Sequence, residues 1–293
     1  MCKHILILGG DMRQYYMAKF LAKENFAISY FGQLFEEEEE KISKIRTMAK
    51  LKGQLEKVTY DYTLLPMPVG EVEIRGSNKQ LKTEELPVLL KGQKTIVFGG
   101  KIPKNLVRAL QKENIEVVDF MDIESIAIMN GRLTAENAII EAVMMSDTGI
   151  TNAKSLVIGY GRCGQMLAHM LKGMGSFVTV AEPDEDRAML AVSYGYKVEE
   201  IKDLSTYQFV FQTAPKSNVL TDRLLVTLLD SKENDNGVIL DISSQSDSID
   251  MDFVQKHHML CKRCPGLPGK YTARSAGELL GQFVKKYGKD EQK

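Results

Sequence analysis

The sequence has no tryptophan, only four cysteines and no surplus of charge of either sign. Each shortage excludes something. Cys2, Cys163, Cys261 and Cys264 are too few for a disulfide framework. A net charge of -1, with the two signs mixed along the chain, gives no footprint for nucleic acid or another polyanion. No run approaches the roughly 18 apolar residues of a membrane span. The N-terminus enters a strand with no basic segment and apolar signal before it. The expectation is a cytoplasmic protein with neither membrane nor nucleic acid as partner. Fifteen methionines are compatible with an adaptable core and identify no partner. At 293 residues the chain is long enough for two domains.

The most informative stretch runs from Lys154 to Glu182, KSLVIGYGRCGQMLAHMLKGMGSFVTVAE. Leu156 to Ile158 reads as a strand and Cys163 to Lys172 as a helix. Phe177 to Ala181 is a second strand ending at an acid. Between strand and helix stand Gly159, Gly161 and Gly164, spaced as in the dinucleotide fingerprint. Gly159 suits the tight turn. Gly161 lets backbone approach a pyrophosphate, and Gly164 lets helix and strand pack closely. Tyr160, Arg162 and Cys163 complete the cofactor-binding turn. Glu182 is placed to accept from ribose hydroxyls and to repel a 2′-phosphate. NAD is therefore the expected cofactor, with NADP the second candidate.

The first 31 residues repeat this unit in weaker form. Ile5 to Leu8 is a strand, Gly9 and Gly10 the turn, Met12 to Lys23 a helix and Ala27 to Phe31 the next strand. The third glycine is missing. Arg13 is a candidate clamp for a substrate carboxylate, because its planar fork matches one. Glu36 to Glu40 and the following KISKIRTMAKLKG read as a solvated helix with its flanks. Asp61 to Leu65 is a strand ended by PMPVG, and residues 71–91 are mostly connecting. Lys94 to Phe98 is a strand followed by Lys101, a third candidate for holding substrate beside Arg13 and Arg274. Pro103 opens a helix reaching Gln111, and Ile115 to Val118 is the fifth strand.

Residues 122–147 are helix-rich, with Thr134 read as an N-cap. Asp184 to Tyr196 reads as a helix leading to a short strand at Val198. Phe209 to Gln212 is a strand whose end, Thr213, Ala214 and Pro215, is assigned to the nicotinamide side of the cofactor. Leu220 to Leu229 is a helix. Gly237 to Asp241 is the next strand, with Asp241 and Ser243 at its carboxyl end and Asp241 assigned to the cofactor. Met259 to Cys261 is the last strand. Cys261 and Cys264 have no second pair to make a metal site, so no metal is expected. Pro265 to Gly269 reads as a rigid loop. Thr272 or Ser275 starts the last helix, and Thr272 and Arg274 at its N-terminus are assigned to substrate. His4 reads as strand-adjacent and His169 as helix packing, so no catalytic general base is named.

The fold expected is α/β: two Rossmann-like parallel-sheet domains joined by a helical segment, with a C-terminal helix packing back toward the first. The boundaries are 1–121 for the substrate-side domain, 122–150 for the helical linker, 151–270 for the dinucleotide domain and 271–293 for the final helix and tail.

The motifs GGDMRQ at 9–14, LLPMP at 64–68, VIGYGRCG at 157–164, TAP at 213–215, LDIS at 240–243 and PGLPGKYTARSAGELL at 265–280 carry a resemblance. By them the chain resembles the A subunits of bacterial dipicolinate synthase over nearly its whole length. The resemblance implies a nicotinamide-dependent oxidoreductase in dipicolinate biosynthesis for sporulation. It would oxidise a dihydro- or hydroxytetrahydro-dipicolinate, a small heterocyclic dicarboxylate, together with a flavoprotein-like B subunit. Self-association into a homo-oligomer is compatible with it. Some members carry an arginine after the second Rossmann strand, where this chain has Glu182, Pro183 and Asp184, a departure that favours NAD. The alternatives are a dehydrogenase for another small carboxylate and a non-catalytic nucleotide-binding scaffold.

Overall fold

Strand β1 (His4–Leu8) sets the pattern of the first half. Its side chains alternate between two cores. Ile5 and Ile7 point to one face of the sheet, and Leu6 and Leu8 to the other. A strand apolar on both sides needs cover on both sides, as in doubly wound α/β folds. In this computed structural model, which describes residues 3–32, 41–69, 73–74, 81–229, 237–244 and 247–290, helices supply that cover.

The chain forms two compact units, Met1–Ala127 with Thr272–Lys293, and Ile128–Tyr271. In the first, β1 leads through α1 (Met12–Lys23) to β2 (Ala27–Phe31), β3 (Ile42–Ile45), α2 (Met48–Leu55) and β4 (Tyr62–Leu64). A two-residue antiparallel pair follows, β5 (Glu73–Ile74) with β6 (Leu81–Lys82). Then come α3 (Leu86–Leu89), β7 (Ile96–Gly99), α4 (Lys104–Lys112) and β8 (Glu116–Asp119). The main sheet has the order β3-β2-β1-β4-β7-β8, and every pairing is parallel. Helix α5 (Glu124–Met145) then carries the chain into the second unit.

The second unit repeats the plan with β9 (Lys154–Ile158), α6 (Arg162–Gly173), β10 (Phe177–Ala181), α7 (Glu185–Ser193), β11 (Lys197–Val198), β12 (Phe209–Gln212), α8 (Asp222–Leu229), β13 (Val238–Asp241), α9 (Met251–Lys256), β14 (Cys261–Arg263) and α10 (Leu267–Tyr271). Its order, β11-β10-β9-β12-β13-β14, is that of the first sheet, again all parallel. Both sheets reverse winding beside their first strand, and ligands of open α/β sheets bind at such switch points. The last helix, α11 (Ala273–Asp290), returns to the first unit and lies on α1. The contact is close: a Cβ on Gly277 would meet the carbonyl oxygen of Arg13 at 2.3 Å. The two expected Rossmann-like sheets and the returning C-terminal helix are both present.

Four local expectations are corrected. Ile42 and Ile45 lie three apart, so in a strand they face opposite sides, and each fills a different core. That burial makes β3 an edge strand where a solvated helix flank was expected, and Glu36 to Glu40 lie outside the described residues. Thr134 is not an N-cap but sits inside α5, its hydroxyl donating to the carbonyl of Asn130. The expected loop at Pro265–Gly269 turns into α10 at Leu267, because Leu267 and Pro268 are buried. The final strand is Cys261–Arg263, pairing with Ile239 to Asp241.

Candidate functional site

The site is built around the turn from β9 into α6. Gly159 has φ +91°, a left-handed conformation that an L side chain resists. A Cβ there would also press on Thr213 Oγ1 at 2.9 Å. A Cβ on Gly164 would lie 2.0 Å from the carbonyl oxygen of Gly159. Helix and strand approach so closely that only hydrogen fits. Gly161 differs: a Cβ on it would meet nothing within 4 Å. It is the N-cap of α6 and offers no side-chain acceptor to the first N–H groups. A helix N-terminus left open in this way has room and donors for a phosphate group.

Neighbouring strands brace the turn. Thr213 Oγ1 donates to the carbonyl of Ile158 at 2.9 Å, and Gln212 fastens the next residue through both ends of its amide, to Ala214 N and Ala214 O. Pro215 is exposed just beyond. Gln165 Nε2 donates back to the carbonyl of Tyr160. Tyr160 is buried, and burial pushes its phenol up to about 12, so it stays neutral. Arg162 is exposed in the first helical position. Burial also pushes the Cys163 thiol up to about 12, which excludes a thiolate nucleophile.

Glu182 stands at the end of β10. Its Oε2 accepts from Tyr160 N at 2.7 Å and its Oε1 from Asp184 N at 3.0 Å. Arg187, in the first turn of α7, reaches the same carboxylate at 3.3 Å. The sequence pattern places Glu182 at this turn but does not reveal Arg187, Gln165 or Gln212. The signal available for Arg187 is its place one helical turn after the N-cap Asp184.

Asp241 is wholly buried and turned inward. It accepts from Ser243 N, Ser248 Oγ and Arg263 Nε, so it holds the β13 loop and β14 to the sheet. A second buried acid, Glu141 on α5, collects Lys262, Lys270 and Tyr271. Burial alone pushes it up, but hydrogen bonds from the two lysines and the phenol outweigh that and bring it to about 2. This cluster, which pins α5 to β14 and α10, has no signature in the sequence.

The substrate candidates all lie in the first unit. Arg13 is buried, with Nε 3.0 Å and Nη2 2.6 Å from the carboxylate of Asp11. Thr272 and Arg274 stand at the start of α11, whose Gly277 lies against Arg13. Arg274 is largely exposed and pairs with Glu278 at 2.9 Å. Lys101 is exposed after β7, in a turn whose backbone N–H groups at Lys101 and Ile102 donate to Asp119. His4 and His169 are both exposed, so the expected packing role of His169 is not found. A cleft of about 460 Å³ between α2 and α3, floored by Met48, Leu55 and Leu81, contains none of these candidates. Among the described residues no group of His, Cys, Asp and Glu is arranged to hold a metal, and no helix is long and apolar enough to cross a membrane.

Two parallel sheets of one winding, the second with an open helix N-terminus at its switch point, define a protein of the NAD-binding Rossmann class. Residues 131–267 match the NAD binding domain family of S-adenosyl-L-homocysteine hydrolase, and residues 4–121 match the family formed by the N-terminal domain of the dipicolinate synthase A subunit. The dipicolinate synthase A subunit of Bacillus subtilis is 22% identical, covering 96% of this chain and 94% of its own length. Its crystal structure superposes with a TM-score of 0.78 over all of this chain and 97% of that one. The crystal structure of the Bacillus halodurans counterpart gives 0.79 at 25% identity, over 97% of each chain. The chain is thus similar over nearly its whole length to the dipicolinate synthase A subunits.

Proposed function

We propose that this protein is the A subunit of a dipicolinate synthase, one that oxidises a dihydro- or hydroxytetrahydro-dipicolinate to dipicolinate. The observation that carries the cofactor half is the uncapped N-terminus of α6 above Gly161. Full-length similarity to the two Bacillus proteins supports the substrate half.

A nicotinamide, when bound, supplies the hydride acceptor that aromatisation of a dihydropyridine dicarboxylate needs. The remaining work falls to the chain. The N–H groups at the start of α6 hold the pyrophosphate, and Gly159, Tyr160, Gly161, Arg162, Cys163 and Gly164 form its cradle. Thr213, Ala214 and Pro215 position the nicotinamide ribose, and Asp241 supports them from behind β13. Glu182 takes the adenosine ribose and favours NAD over NADP. Arg13, Lys101, Thr272 and Arg274 hold the two substrate carboxylates through charge-assisted hydrogen bonds. Proton loss accompanies hydride loss, the hydroxytetrahydro form loses a water as well, and aromatisation favours each of these losses. A cytoplasmic location and a B-type partner belong to this reading.

The test follows nicotinamide absorbance in the A–B complex with the candidate heterocycle. NAD should be reduced as dipicolinate forms, and Arg13→Ala should raise KM about tenfold or more. Tight NAD binding without turnover in the complete complex would turn the reading toward a nucleotide-binding scaffold. Hydride transfer from a different small carboxylate alone would make it another dehydrogenase.

A further inference from the structure

Glu182 alone would exclude a 2′-phosphate, yet it does not stand alone. Its side chain is 4% exposed and both oxygens are taken by backbone N–H groups, of Tyr160 in the glycine turn and of Asp184 in the next loop. A carboxylate held at both oxygens cannot swing aside for an incoming anion. Two further acids, Glu185 and Asp186, lie in the first turn of α7, and Asp184 caps it. Into this acidic edge reaches the guanidinium of Arg187, 3.3 Å from Glu182 and 3.5 Å from Asp184. The Arg187 side chain is about half exposed, whereas that of Glu182 beside it is buried, so of the two it is the cation that solvent and a bound anion can reach. An arginine fork donates to phosphate oxygens in two directions while keeping a carboxylate on a third.

The geometry points to Arg187 as a specificity-determining residue of the dinucleotide site, the cation that keeps NADP admissible beside a fixed Glu182. The inference rests on the dinucleotide reading above and deepens it. Glu182 sets the preference for NAD. Arg187 limits how large that preference becomes, by offsetting the acid and offering donors to a 2′-phosphate. NAD lacks that phosphate, so its affinity should depend little on Arg187.

Isothermal titration of the full chain with NAD and, separately, with NADP tests this without turnover. The wild type should bind both, NAD more tightly. Arg187→Ala should weaken NADP about tenfold more than NAD, and Arg187→Lys should restore part of the loss. The NADP loss should shrink as salt rises, because exposed charges are screened. Glu182→Gln should move the ratio the other way. An unchanged ratio in Arg187→Ala, an equal fall for both nucleotides, or a wild type that binds NAD but not NADP would overturn the role of Arg187. A wild type that binds neither would overturn the dinucleotide reading itself.

Discussion

The two strand–turn–helix units of this chain have the same topology and opposite helix termini. At α1, Asp11 caps the helix: its side chain accepts from Arg13 N, and Gln14 Oε1 accepts from Asp11 N in return. Gln14 fills the turn so fully that a Cβ on Gly10 would lie 2.4 Å from its side chain. The N–H groups of Asp11, Arg13 and Gln14, which could greet an anion, are already used. At α6 the cap is Gly161, with no side-chain acceptor and open space where a Cβ would be. The difference teaches that the strand order brings a helix terminus to the switch point, while the cap residue decides whether a ligand can use it. The same comparison explains Arg13. Its guanidinium is held by Asp11 in a first turn where the N–H groups of Asp11 and Arg13 are already bonded to side chains.

The largest effect should come from closing the second turn. Gly164→Ala places a methyl 2.0 Å from the Gly159 carbonyl, backbone that cannot yield cheaply. A loss of about 3 kcal/mol in denaturant unfolding and abolished nucleotide binding are expected. Stability without loss of binding would break the comparison.

Acid should separate the units next. Among the described residues, the carboxylates held clearly below their ordinary range, Glu141, Asp184, Glu199 and Asp203, all lie in the second unit. For Glu141 the folded value of about 2 lies below the ordinary 4.5. Its stabilisation is full above the unfolded value and is lost as pH falls from there through the folded one. Glu141→Gln should cost about 2 kcal/mol at neutral pH and progressively less as pH approaches 2. Thermal melts over that range check it, and a pH-independent difference would refute the charge assignment.

Removing the cap of the first turn should cost slightly less. Asp11→Ala loses about 1–2 kcal/mol, the worth of an N-cap, and leaves Arg13 without its carboxylate. NAD affinity should stay unchanged in titration, because the affected helix belongs to the other unit. The smallest stability effect belongs to Gly161→Ala. Its φ of -76° suits any residue and its surroundings are open, so stability should move by less than about 0.5 kcal/mol. Nucleotide affinity should nevertheless fall at least tenfold, because the methyl takes the phosphate's space. Unchanged affinity would remove Gly161 from the site.

Much of this fold is legible in the residues. Ile5, Ile7, Phe209 and Phe211 belong to runs too apolar for one-sided burial, and such runs between helical patterns mean a covered parallel sheet. Met12–Lys23, Phe177–Ala181 and Phe209–Gln212 form the elements their patterns predict. The glycine turn is legible for the same reason, since its spacing records local backbone demands. What was illegible depends on distant partners. β3 looks like a charged helix flank because only two of its four residues are apolar, and its identity comes from pairing with β2. Arg274 pairs with Glu278 at 2.9 Å, a contact that its place at the helix start does not announce.

By itself, the sequence determined where chain direction reverses, which strands need cover on both faces, and which turn is free of side chains. These are local properties, set by residue size, branching and φ. Only the tertiary structure decided which charges are satisfied internally. It turned Asp241 inward to Ser248 and Arg263, gathered Lys262, Lys270 and Tyr271 on Glu141, and set Arg187 against Glu182. A charge's role depends on what lies within a few ångströms of it, and folding brings together groups that the chain keeps far apart.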